Sequence, residues 1–307
     1  MMDNLVELWE RPAAEEKYMI AGWHQWADAG SISSALPEYL IDFTGARKVG
    51  EIKSDEFYLF QIPGTHDLLR PKIKLNEGYR QSLSPRSNEF FYSGNEQKGL
   101  VIFLGEEPHL NVERYAEAFF DAVQELGVKR VAVVGGVYGA MPYNKDREVS
   151  CVYSLQRMKA ELENYALRFS NYEGGATIGS YLVDQAEQRE IEYLVFYGFV
   201  PAYDFSELSI TTQGIRIEND FKAWYDLMRR FNYMFGLELD LSDLDNRSDE
   251  LKVSLEAKLD ELEQKTPQLN VRAYLEEVAR DFTERSFMPL GDVWERELGD
   301  LFEDLEG

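Results

Sequence analysis

Two continuous apolar runs, GLVIFLG (Gly99–Gly105) and VKRVAVVGG (Val128–Gly136), flank the segment NVERYAEAFFDAVQELG (Asn111–Gly127). Within that segment Tyr115, Phe119, Val123 and Leu126 recur at helical spacing. Asn111 is a good N-cap, Glu113 places a carboxylate in the first turn, and Gly127 supplies a stop. Strand, helix and strand with short links make a βαβ unit, which implies parallel strands and a right-handed crossover. Strands this uniformly apolar belong in a sheet covered on both faces. The scheme recurs: a helix from near Thr177 leads into the strand IEYLVFYGFV (Ile191–Val200). EKYMIAGW (Glu16–Trp23) adds a strand at the front. SISSALPEYLIDFTG reads as a helix ending at Gly45, with Pro37 kinking it or delaying its start. RKVGEI and FYLFQI are further strand candidates. Residues 63–88 are rich in turn formers and charge, and read as an excursion holding one short strand.

The expected fold is therefore α/β with a mostly parallel sheet. Composition changes near Phe235. From Gly236 onward 21 acidic side chains face 8 basic ones. SDELKVSLEAKLDELEQK carries Leu251, Leu255, Leu259 and Leu262 on one stripe. Thr266-Pro267 breaks it, and a second helix follows with Asn270 as cap and Tyr274, Leu275, Val278 and Phe282 inward. The expected organisation is a core over 1–235 and an acidic helical extension over 236–307. The apolar stripe of this helical hairpin reads as packing against its own domain.

The chain of 307 residues carries 32 basic and 56 acidic side chains, a net charge of -24. That balance argues against a phosphate-neutralising nucleic-acid surface and against an anionic membrane. It favours a cationic partner only weakly, since a solvated acidic surface accounts for it. A single cysteine, Cys151, excludes an intramolecular disulfide and a thiolate metal cluster. This suits a reducing cytosol, as does an acidic N-terminal stretch without signal architecture. No apolar run has the length of a membrane span.

Ligands of open α/β sheets bind beyond the C-terminal ends of the strands. Four stretches lie there: AGWHQWADAGS, GGVYGAMPYNKDRE, NYEGGATIGSYL and GFVPAYDFSE. The first and third feed helix N-termini, where exposed N–H groups favour an anion. Gly30, Gly174 and Gly175 allow close backbone approach, and Ser31, Ser33, Thr177 and Ser180 add hydroxyls. The same residues also serve as ordinary turns and caps. Neither loop matches the phosphate-binding loop or the dinucleotide fingerprint. Asp28, Glu173, Asp204 and Glu207 are the acid or base candidates, Glu173 first. Trp23, Trp26, Tyr138, Tyr143, Tyr172 and Tyr203 crowd these loops, as a pocket mouth or a protein interface would require. His24, His66 and His109 lack metal-ligand spacing, no nucleophile elbow is present, and Cys151 reads as a structural thiol.

Taken in order, AGWHQWADAGS, VVGGVYGAMPYNKDRE, NYEGGATIGSYL and VPAYDF resemble the proteasome assembly chaperone 2 family, in particular its prokaryotic branch. The most specific matches are Tyr172, Glu173, Gly174, Pro201 and Tyr203, with Gly135, Gly136, Tyr138, Gly139 and Pro142 in the middle motif. GWHQWADAGS resembles the first-loop motif of actinobacterial members with extra residues inserted. The likeness covers Tyr18 to Asp204, and the acidic tail is similar to the C-terminal extension of bacterial members. It implies a three-layer α/β/α fold like that of purine nucleoside phosphorylases and related hydrolases. It implies a homo-oligomer, a trimer, and supplies no catalytic residues.

Two readings follow. In one the chain is a binding or assembly protein without chemistry, acting through oligomerisation and a protein partner. In the other it is an enzyme or binder of a small polar or nucleoside-like metabolite. Trp23, Asp28, Gly30, Tyr138, Glu173, Gly174, Gly175, Thr177 and Tyr203 would then line the crevice. Neither reading requires a metal or another cofactor.

Overall fold

A computed structural model describes residues 5–54, 56–61, 70–203, 214–280 and 282–287. Four parallel strands form its centre, in the order β7 (Lys98–Glu106), β2 (Glu16–His24), β8 (Arg130–Gly139), β10 (Glu192–Tyr203). Antiparallel strands extend this core on both sides. β6 (Glu89–Gly94), β3 (Arg47–Ile52) and β1 (Val6–Leu8) continue outward from β7. β9 (Val149–Tyr153) and β11 (Ile215–Arg216) pair with β10. The described residues thus build a nine-stranded mixed sheet, mostly parallel at its centre.

Side chains alternate across the central strands and feed two separate cores. One core takes Ile20, Ile102, Ala132, Val134, Leu194 and Phe196 from the sheet. It packs against α1 (Ala35–Thr44), α5 (Phe221–Phe235), α6 (Ser242–Lys265) and α7 (Val271–Arg280). The other takes Met19, Ala21, Val101, Phe103, Val131, Val133 and Val195. It packs against α2 (Val112–Glu125) and α4 (Ile178–Gln188). The single-turn helix α3 (Lys159–Leu162) contributes Leu162 to the first core. This is the three-layer α/β/α arrangement. No helix among the described residues is long and apolar enough to cross a membrane.

The βαβ unit is β7–α2–β8, its crossover passing over β2. The helix expected from Ser31 begins later. A turn at Ala29–Ser31 comes first, and α1 starts at Ala35 with Pro37 in its first turn, where no helical N–H is lost. FYLFQI is not a strand over its described residues. The Phe57 carbonyl accepts from the amides of His109 and Leu110, in the loop after β7, so no sheet neighbour receives it. The excursion holds two strands rather than one, β4 (Lys72–Asn76) and β5 (Tyr79–Ser84), joined as a hairpin. In the tail Leu255 and Leu259 are buried, and Leu251 and Leu262 pack beside them. The second tail helix ends at Arg280.

Candidate functional site

The loops after β2, β7 and β8 gather at one edge of the sheet, where the parallel strands end. Asp28, after β2, forms a single parallel bridge with Gly136 in β8. Only glycine fits at 136, because a Cβ there would stand 1.9 Å from the Ala29 carbonyl oxygen. The Asp28 carboxylate accepts from the backbone N–H of Ser33 at 2.7 Å and of Ser34 at 3.0 Å. The Ser34 hydroxyl donates to its other oxygen at 2.6 Å. Burial pushes the Asp28 carboxyl above its ordinary value, against the pull of these bonds. Asp28 therefore closes the turn that leads into α1.

The start of α4 is capped directly. Thr177 Oγ1 accepts from the Ser180 amide at 3.1 Å, a regular N-cap. The Ile178 amide donates to Glu107 Oε1 at 3.0 Å, and Glu107 Oε2 faces the Trp26 amide at 3.4 Å. Glu107, just past the end of β7, so ties the first crest loop to the third. The Tyr197 hydroxyl lies 2.7 Å from Thr177 Oγ1 and 2.6 Å from Ser180 Oγ. Burial raises the Tyr197 phenol above its ordinary value, while these two hydroxyls work the other way. At this edge a carboxylate of the chain itself thus sits on the first amide of α4, and another on the turn amides before α1.

The residues singled out from the sequence divide into two groups. Trp23 is fully buried, packed against Phe103 and Phe119, with its indole N–H on Tyr115 Oη at 2.8 Å. It is a core residue and adds nothing to the crest surface. Tyr203 is also buried and donates to the Met141 carbonyl at 2.7 Å, pinning the loop after β8. Gly30 is buried at φ +63°, and its carbonyl accepts from the Trp224 indole and the Asp220 amide, each at 3.0 Å. Thr177 is buried as a cap. By contrast Tyr138, Glu173, Gly174 and Gly175 are exposed. Trp26, 71% exposed, lies against Gly175, and the Tyr172 hydroxyl donates to the Gly175 carbonyl at 3.3 Å. Asp28 and Glu173 share no hydrogen-bond partner: Asp28 is committed to Ser33 and Ser34, while Glu173 stands in the exposed loop. Asp204, Glu207 and His66 lie outside the described residues. Burial pushes the Cys151 thiol up, as a structural thiol requires. Among the described residues no group of three His, Cys, Asp or Glu side chains could hold a metal ion.

The sequence reading passed over a buried charge cluster behind this edge. Arg147 and Asp220 pair at 2.8 Å with both side chains fully buried. The Arg147 amide donates to Asp226 Oδ2 at 2.7 Å, and Lys222 Nζ reaches Asp146 at 2.5 Å and Asp226 at 2.6 Å. This cluster clamps the loop after β8 onto α5. Its only mark in the sequence is the charged run NKDRE inside a loop otherwise built to pack.

The PAC2 family model matches residues 22–259. The chain belongs to the PAC2 family. Among solved structures, this PAC2 protein is similar to a PAC2 family protein from Streptomyces avermitilis. The two share 21% identity at a TM-score of 0.67, over 84% of this chain and 99% of that one. A Mycobacterium tuberculosis proteasome-assembly chaperone homologue shares 19% identity at a TM-score of 0.66, over 78% and 94%. PbaB of Pyrococcus furiosus, an archaeal proteasome activator, shares 19% identity at a TM-score of 0.59, over 82% and 97%. At such identities the likeness is one of fold. No curated protein matches the chain.

Proposed function

We propose that this PAC2 protein is a binding protein of proteasome assembly or activation, working as a homo-oligomer without chemistry of its own. One observation carries the reading. The turn amides before α1 and the first amide of α4, which could receive an anionic substrate, are occupied by Asp28 and Glu107, while Trp26, Tyr138 and Tyr172 stand exposed on the same edge. Rigid aromatics around a closed crest suit a protein partner. The roles of the solved relatives, a proteasome-assembly chaperone homologue and a proteasome activator, point to proteasome subunits as that partner. In this reading residues 1–235 form the binding core and 236–307 an acidic extension bracing it.

The test is sedimentation of the purified chain with proteasome α subunits of its own host. Binding is expected, weakened about tenfold or more by the double substitution Trp26→Ala/Tyr172→Ala, as for paired aromatic anchors. A second reading keeps a small polar metabolite at the crest, favoured by the hydroxyls of Thr177, Ser180 and Tyr197 beside exposed Glu173. Absence of subunit binding, together with a metabolite that raises the melting temperature of wild type but not of Glu173→Ala, would replace the first reading with the second.

A further inference from the structure

The loop after β8 and the tail leave a cavity of about 390 Å³ between them. Its floor is held rigidly. The buried Arg147 guanidinium donates to the Tyr143 carbonyl at 2.8 Å and to the Lys145 carbonyl at 3.0 Å, and Tyr203 holds the Met141 carbonyl. Its cover is the end of α7 and the segment that follows. That segment is fixed at two points. Glu284 accepts from the Asp146 amide and pairs with Lys145, each at 3.0 Å, and Phe287 is buried against Tyr165 and Tyr233. With both sides fixed, the two surfaces do not close on each other. Phe199, Val278 and Phe282 stay half-buried around the cavity, beside buried Met141. A preformed space of this size with apolar walls and a few polar groups suits a small molecule.

The charge at the rim selects the class. Arg168 pairs with Glu148 at 2.7 Å through Nη1 alone, which leaves the rest of its fork of N–H groups to donate. Arg285 has no ion-pair partner among the described residues. Two arginines against one glutamate give the lining one excess positive charge, in a chain of net charge -24. We propose that this cavity binds a small apolar carboxylic acid. Its hydrocarbon body lies against Phe199, Val278 and Phe282, and its carboxylate faces Arg285 and the remaining N–H groups of Arg168. One excess cation balances a monoanion, whereas a phosphate dianion would bring a second negative charge beside Glu148. The walls are set before the ligand arrives, so little ordering opposes binding. The cavity shares no lining residue with Trp26, Tyr172 and Glu173, and the inference stands apart from the function proposed above.

The experiment is calorimetric titration of the full chain with 4-phenylbutyrate and with 3-phenylpropylamine, which share a phenylpropyl body and differ in charge. The net charge of -24 favours the amine everywhere else, so a preference for the acid requires a local cationic site. Wild type is expected to bind the acid at a single site, and the amine at least about tenfold more weakly. Arg285→Glu is expected to weaken acid binding about tenfold or more, with an unchanged circular dichroism spectrum because the residue is exposed. Val278→Trp fills the cavity and is expected to abolish acid binding. Should the tryptophan disturb folding, the rim variant decides alone. Three results would overturn the proposal: no saturable binding of the acid at millimolar concentration, an amine that binds as tightly as the acid, or a folded Arg285→Glu chain that binds the acid as wild type does.

Discussion

His109 shows how one side chain at the crest responds to pH. Its Nδ1 accepts from the Leu59 amide at 3.1 Å, so the ring is neutral with its proton on Nε2. Burial, with the Arg86 cation adding to it, lowers its pKa from the ordinary 6.5. The folded state therefore binds fewer protons at this site than the unfolded chain. The stability from this site is fully present above 6.5 and is lost as pH falls through the lower folded value. Between about pH 7 and about pH 5, urea unfolding of wild type should lose more stability than that of His109→Asn, whose side-chain oxygen can still accept from Leu59. Equal slopes would show that His109 does not titrate as the geometry requires. Asp28 and Glu107 teach the complementary lesson. A carboxylate beside a glycine-rich turn looks like a site in sequence, yet Asp28 is spent on the turn amides before α1, and Glu107, which the sequence did not single out, receives the first amide of α4.

Elements are joined by pairs that no local pattern announces. Arg147 and Asp220 stand 73 positions apart and meet with no exposure at all. Asp220 also caps α5 through the Ala223 amide at 3.1 Å. Asp220→Ala leaves the buried guanidinium without its counter-ion and should cost about 3–5 kcal/mol in chemical denaturation. The double change Arg147→Met/Asp220→Leu should recover much of that loss. If the single substitution melts like wild type, the clamp is not a stabilising feature. The β4–β5 hairpin reads in sequence as one short strand for a related reason. Its turn is Glu77-Gly78, both at positive φ (49° and 82°), the geometry of a two-residue hairpin turn. Glutamate is an uncommon first residue there, and the usual Asn-Gly or Asp-Gly signal is missing.

For the whole molecule, the acidic tail is part of the fold's energetics. Leu244, Leu255, Leu259, Leu269, Val271 and Leu275 join the same core as Phe231 and Phe235. Each buried apolar side chain contributes roughly 1.5–3 kcal/mol, against a net domain stability of about 5–15 kcal/mol. A chain truncated after Phe235 should therefore lose cooperative thermal unfolding and aggregate, which makes such a truncation a test of folding rather than of assembly. A soluble fragment with a sharp melting transition would contradict this.

Local periodicity by itself determined the four parallel strands, the βαβ unit and the tail hairpin, because strand and helix patterns are written within a dozen residues. It also marked the crest loops, since glycine and polar residues directly after apolar strands have few other uses. Only the tertiary structure decided what those loops hold. Glu107 reaches the Ile178 amide across 71 positions, Trp23 turns inward to Tyr115, and Phe57 gives its carbonyl to a loop instead of a strand. The physical reason is common to all three. A hydrogen-bonding group takes whichever partner the packed chain brings within 3 Å or so, and that partner is set by how the layers close, not by its neighbours in sequence.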